Sequence, residues 1–280
     1  MYISLDQTGS KQHYEWHLQT ESAAFPPRDM GEAFIFNKKI YISNGYNREQ
    51  KASRDLWVST DGTDWSVVNG ETPYDAYSEI VVFKGDIWAV RNSVWKSTDA
   101  HSWKLALQTT PFGKDNLGSS IVFDNAIWYF GRYGDIWRSV DGVSWDVVTK
   151  KAAFGQRQGA GIVAFKNKLW LLGGFTRKAN KSLENGYKEF TTYNDVWVSE
   201  DGKNWKKVLD NAPWRERMWF GLTEYNGRLW LLGGYDNKNN KNFADIWSTS
   251  NGSDWEMITP TALFGPRHWP SIFVYEDAIF

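Results

Sequence analysis

Counted back from six recurring aromatics, Phe36, Phe83, Phe123, Phe165, Tyr225 and Tyr275, the eighth residue upstream is Arg28, Asp75, Asp115, Arg157, Arg217 and Arg267. A guanidinium presents a rigid fork of donors that fits carboxylate or phosphate oxygens. Four arginines at one level therefore suggest the grip of a small anion. With two aspartates among them the local charge is +2, on a chain whose formal total is −1. The competing reading is a structural ring of ion pairs, Arg28 with Asp75 and Arg157 with Asp115, which leaves Arg217 and Arg267 without acids. On sequence the two readings carry equal weight.

The neighbouring positions add chemistry. One residue on stand Asp29, Asn116, Gln158 and His268; two residues on stand Tyr77, Trp219 and Trp269; Glu32 and Glu79 follow at the next step. Histidine titrates near neutrality, so His268 is the first candidate for general acid and base, although a single histidine is more often a polar contact. Glu32, Glu79, Tyr77 and Asp75 complete the set expected to move protons. Tyr46, Arg91, Arg132, Tyr133, Phe175 and Tyr235 fall on loops of the same side and are expected to form the walls.

What must hold these residues is a repeat. Tryptophans eight apart recur at Trp57/Trp65, Trp95/Trp103, Trp137/Trp145, Trp197/Trp205 and Trp247/Trp255, with turns such as Ser199-Glu200-Asp201-Gly202 between them. Each aromatic used as a ruler is followed by a short turn, such as Asn226-Gly227, and a Trp-rich run such as Leu229-Trp230-Leu231-Leu232. Asn-Gly tolerates positive φ and suits a hairpin. Each repeat thus reads as four antiparallel strands, an all-β propeller blade with its first strand innermost. The residues before that strand then surround the mouth of a central channel.

The chain ends complete the count. Arg267 to Phe280 supplies only the first two strands of a repeat, while Tyr2–Asp6 and Trp16–Gln19 match the last two. One blade built from both ends leaves no open sheet edge, so six blades are expected in a single domain, 1–280. Between the second and third strands the spacing is 8 residues in blade 2 and 10 in blade 3, against 17, 28 and 18 in blades 1, 4 and 5. The blade 4 insertion, 175–193, is expected to be a lid, a binding element or an unordered decoration.

Composition limits the rest. Hydrophobic residues make up 41% of the 280, with 18 Trp, and no run approaches the length of a membrane helix. A charge of −1 offers no general attraction to nucleic acid or anionic membrane. No cysteine is present, which excludes disulfides and thiol chemistry, and the scattered histidines argue against zinc. No cofactor is expected, and the chain is read as a monomer. The first residues do not form a secretory signal, so it is placed in the cytoplasm, or exported if its natural start has been trimmed.

The glycine doublets Gly173-Gly174 and Gly233-Gly234, the Asp before the third-strand aromatic (Asp55, Asp135, Asp195, Asp245) and the fourth-strand Trp resemble the kelch family of propellers. The doublet becomes Asn44-Gly45 and Phe130-Gly131 elsewhere and is absent from blade 2. The Ser-x-Asp-Gly turns also resemble the Asp-box of sialidase-type propellers, with Gly one place early. Both resemblances imply a propeller and neither assigns a function. The first functional expectation is an isomerase, lyase or cyclase acting by proton transfer on a small, sugar-acid-like carboxylate; kelch-like sialic acid epimerases are an example of the class. The alternatives are a module that binds a protein or glycan through the same face, or a sialidase-like hydrolase.

Overall fold

The computed structural model describes residues 2–6, 13–47, 51–114, 116–178 and 189–280. Five sheets each take four strands in chain order, and the first is Glu32–Phe36, Lys39–Ser43, Leu56–Ser59 and Ser66–Asn69. The inner strands of the next four are Glu79–Phe83, Gly118–Phe123, Gly161–Phe165 and Gly221–Tyr225. A further four-stranded sheet joins both ends of the chain in the order His13–His17, Tyr2–Asp6, Ala278–Ile279, Val274–Tyr275. Its outer strand starts earlier than the expected Trp16–Gln19, because the hairpin register sets Ile3 opposite Trp16.

Local chemistry explains why these residues make blades. Asn226 and Gly227 sit at φ 50° and 69°, and Lys166-Asn167 and Asp124-Asn125 are left-handed in the same way. Paired positive φ values give the hairpin twist that adjoining strands require. The second-strand indole then donates back to the carbonyl of the inner-strand aromatic, Trp88 to Phe83 at 3.2 Å and Trp170 to Phe165 at 3.0 Å. In the Ser-x-Asp-Gly turns the side chains bind backbone: Asp201 Oδ1 accepts from the N–H of Lys203 and Asn204, and Ser199 Oγ from that of Gly202. These residues build turns rather than bind ligand.

The blades pack through their tryptophans. A Cβ added to Gly142 would lie 2.3 Å from the Trp88 ring of the preceding sheet, and one on Gly202 would lie 2.2 Å from Trp128. Gly142, Gly202 and Gly252 are each the seat of a neighbour's indole, and Gly62 meets the Phe280 ring instead. Inner strands touch in sequence around the axis, from Glu32–Phe36 through to Val274–Tyr275. The end-built sheet meets the first through Ser271 Oγ, which donates to Gly31 O at 2.6 Å, and Tyr275 OH, 3.1 Å from both Lys38 O and Thr60 O. The result is an all-β propeller. Among the described residues no helix is long and apolar enough to cross a membrane.

Candidate functional site

The ring of arginines does not open toward a ligand. Arg28 Nη1 and Nη2 donate to Asp55 at 2.6 and 2.8 Å, Arg157 pairs with Asp195 at 2.7 Å, and Arg217 pairs with Asp245 at 2.7 Å. Each acid is the aspartate before the third-strand aromatic of the same blade, and the same carboxylate accepts the indole N–H of Trp57, Trp197 or Trp247. Nη1 also donates to the carbonyl of Asn44, Gly173 or Gly233. These arginines tie the inner-strand approach to the third strand. The expected partnerships of Arg28 with Asp75 and Arg157 with Asp115 are replaced, because the aspartate of the same blade offers two oxygens to the guanidinium fork. Arg217 is fully buried and is not without an acid.

The other members of the ring divide. Asn116 takes the arginine's place in the third blade, donating to Asp135 Oδ2 at 2.6 Å, with Asp135 accepting from Trp137. Asp115 lies outside the described residues. Asp75 pairs with Arg91 at 3.3 Å and caps the N–H of Tyr77 at 3.0 Å. Arg267 makes no ion pair among the described residues, donates to the Phe264 carbonyl and is exposed. Of the four ring arginines, Arg157 alone lines the axial cavity among the described residues, and Asp195 holds it.

A cavity of about 490 Å³ nevertheless lies on the axis. It brings together nine of the sequence-derived candidates: Glu32, Tyr77, Glu79, Arg91, Arg157, Gln158, Phe175, Trp219 and Trp269. Glu32 and Glu79 are the first residues of neighbouring inner strands, so the sheet geometry places them at matching heights. Both touch the cavity and so keep some exposure, yet protein surrounds them. Burial, then the charge of Glu79, raises the Glu32 carboxyl well above its ordinary value. Burial pushes Glu79 up to about 7, against the opposing pull of the Ser120 N–H at 3.1 Å and of Arg91. Burial and mutual repulsion thus oppose joint ionisation of the two carboxyls.

The collar of the cavity has a backbone cause. Met30, Gly159, Trp219 and Trp269 each stand two residues after the arginine position, with φ of 58°, 57°, 55° and 49°, and all four line the cavity. Left-handed backbone costs a side-chain-bearing residue about 1–2 kcal/mol. The Trp269 N–H holds it by donating to Trp219 O at 2.5 Å. The two indoles stack at 5.4 Å and 29°, and Phe175 meets Trp219 edge-on at 5.6 Å. Gly159 makes room, since a Cβ there would lie 2.7 Å from Trp219 Cδ1.

The remaining candidates stand outside. His268 is not in the cavity: its Nδ1 is 2.7 Å from Asn242 Oδ1, its Nε2 is 3.6 Å from Asp29 Oδ2, and its ring packs against Trp219 and Tyr235. It packs against the collar indole of Trp219 and does not line this cavity, and so stands apart from Glu32, Glu79 and Tyr77, the other groups expected to move protons there. Asp29 also caps the Met30 N–H at 2.9 Å. Tyr46 pairs with Asp29 through backbone, and Tyr235 stacks on Trp219 at 5.8 Å. Tyr133 belongs to a smaller side pocket. Met30 and Arg177 were missed. The signal for Met30 was its offset from Arg28, the same as that of Trp219 from Arg217. Arg177 comes from the blade 4 insertion, whose described part is a two-stranded extension pairing Phe175 with Thr192 and Arg177 with Phe190.

No family model and no curated protein matches this sequence. Among solved structures the chain is similar to that of YjhT, a propeller, with a TM-score of 0.69 over 92% of this chain and 90% of that one, at 14% identity. At that identity the likeness shows the fold alone.

Proposed function

We propose that the chain is a six-bladed propeller of kelch type, the end-built sheet being the sixth blade, and that its cavity binds a small carboxylate-bearing, sugar-acid-like metabolite and moves a proton on it. The observation that carries this reading is the pair Glu32 and Glu79, two inner-strand carboxyls facing one cavity and resisting joint ionisation. Glu79 takes a proton from carbon next to the ligand's carboxylate while Glu32 gives its own to the opposite side or to oxygen, an isomerase, lyase or cyclase step. Tyr77, whose phenol is raised by burial, stays protonated beside them as a donor. Arg91, paired with Asp75 at 3.3 Å and held over the Tyr77 ring at 4.9 Å, is the cation that opposes the rise of Glu79. Trp219 and Trp269 offer flat faces to a ring. The reading calls for no cofactor and for a monomer.

Its test is hydrogen exchange. A panel of sugar acids and related carboxylates is incubated with the protein in D2O and followed by NMR. The expected result is loss of one C–H signal from a panel member, slowed at least about a hundredfold by Glu79→Gln while ligand-induced thermal protection persists. Exchange that survives Glu79→Gln unchanged, or a panel in which no acid either exchanges or protects, refutes the proposal.

A further inference from the structure

Two places before the level of Glu32 and Glu79, the approaches to the inner strands carry Met30, Tyr77, Gly159, Trp219 and Trp269, and all five line the cavity. The third approach is one residue shorter, from Asn116 to Ser119, which pairs with Phe130 as Gly161 pairs with Leu172; it brings Leu117 and Gly118 to the cavity instead. The rim is therefore lowest beside Gly118. Left-handed backbone does not demand the glycine at 159: its φ is 57°, and Met30, Trp219 and Trp269 carry side chains at 58°, 55° and 49°. Space does. A Cβ on Gly159 would lie 2.7 Å from Cδ1 and 2.8 Å from Nε1 of Trp219, and 3.1 Å from Phe175 Cε1. The Trp219 indole thus crosses from the fifth blade and rests on the fourth. The atoms nearest a Cβ on Gly118 belong to Phe130 and Tyr129 of its own blade.

Backbone and packing hold the indole there. The Trp219 N–H donates to Gly159 O at 3.0 Å and Trp219 O accepts from the Trp269 N–H at 2.5 Å, so three collar residues form one belt. Tyr235 and Trp269 stack on the ring at 5.8 and 5.4 Å, and Phe175 meets it edge-on at 5.6 Å. A side chain packed on several sides keeps one rotamer. The N–H groups of Met30 and Tyr77 are instead capped by Asp29 and Asp75 of their own approaches. We infer that Trp219, seated on Gly159, is the specificity-determining residue of the cavity: it bars the mouth over the fourth and fifth blades, so that a ligand reaches Glu32 and Glu79 across Gly118 and within a width set by the indole. That width narrows the ligand class to acids of a single ring or an open chain. Identifying the guest so selected with the acid on which a proton moves rests on the function proposed above; the bar across the mouth does not.

The test labels the two carboxyls with carbodiimides of unequal width, diisopropylcarbodiimide and the broader dicyclohexylcarbodiimide, and reads adducts on the Glu32 and Glu79 peptides by mass spectrometry. At pH 6 burial keeps protons on both groups. A protonated carboxyl adds across one N=C bond of the reagent, and the acyl group then shifts to nitrogen as a stable N-acylurea, so no turnover is needed. Each rate is divided by that at the exposed Glu276, which corrects for intrinsic reactivity. In the parent the broader reagent is expected to label at least about tenfold more slowly. Trp219→Ala is expected to bring the two rates together. Gly159→Ala pushes the indole off its seat at a backbone angle that three other collar residues adopt with side chains, so it shifts the ratio the same way and serves if Trp219→Ala does not fold. Equal rates in the parent, or folded variants that keep the parent's ratio or stay unlabelled, overturn the inference. Proton exchange without width discrimination removes only the bar; discrimination without proton exchange removes the proton-transfer reading instead.

Discussion

Replacing Arg217 with Met separates a structural arginine from a ligand-binding one. Arg217 is fully buried; its two Nη groups reach both Asp245 oxygens at 2.7 and 2.8 Å, and its Nη1 and Nε donate to Gly233 O at 2.7 Å and Arg215 O at 3.1 Å. The Met side chain replaces the apolar stem but not the guanidinium, which lies 4.2 Å from the Phe243 ring centre, and leaves the Asp245 carboxylate with Trp247 Nε1 as its remaining side-chain donor. Burial alone pushes Asp245 up; Arg217 and Trp247 together hold it below the usual carboxylate range. Breaking a buried pair from one side costs about 3–5 kcal/mol, a large share of the roughly 5–15 kcal/mol that keeps a protein folded. Urea unfolding at pH 7 measures it. The double variant Arg217→Met/Asp245→Asn is expected to recover part of the loss, since no unpaired charge remains. Arg267→Met, with no ion pair among the described residues, is expected to cost under about 1 kcal/mol. If Arg217→Met unfolds within about 1 kcal/mol of the parent and instead abolishes anion binding, the arginine faces a ligand and the structural account fails.

Two further outcomes follow from the same geometry. Glu79 rises from 4.5 to about 7 on folding; it therefore costs nothing below pH 4.5, progressively more between pH 4.5 and 7, and at most about 3 kcal/mol above that, less whatever cavity water screens. Glu79→Gln should thus stabilise the fold at pH 8 and not at pH 4, and equal gains at both pH values in urea titrations would contradict the raised carboxyl. Gly142→Ala places a methyl 2.3 Å from the Trp88 ring at φ 79° and is expected to cost about 2–4 kcal/mol from overpacking and left-handed strain. Gly70→Ala, where nothing lies within 4 Å of the added carbon, is its control, and similar denaturation midpoints for the two would refute seating of the indole.

What the sequence by itself determined is whatever short-range bonding repeats. The hairpin at Asn226-Gly227, the Ser199/Asp201 turn and the Trp170-to-Phe165 bond each close over two to five residues. Their spacing in the chain is their spacing in space, so strands, turns and the sheet shared by both ends were legible before any coordinates. The arginines were legible as a ring but not as to what they meet. Arg28, Arg157 and Arg217 find their aspartates 27, 38 and 28 residues away across blade loops of unequal length, a distance over which spacing carries no information about direction. The tertiary structure alone decided that these charges close on one another, that His268 backs the collar rather than entering it, and that Glu32 and Glu79 share one cavity. Each of those outcomes depends on burial, and burial is a property of the packed ring that no single repeat possesses.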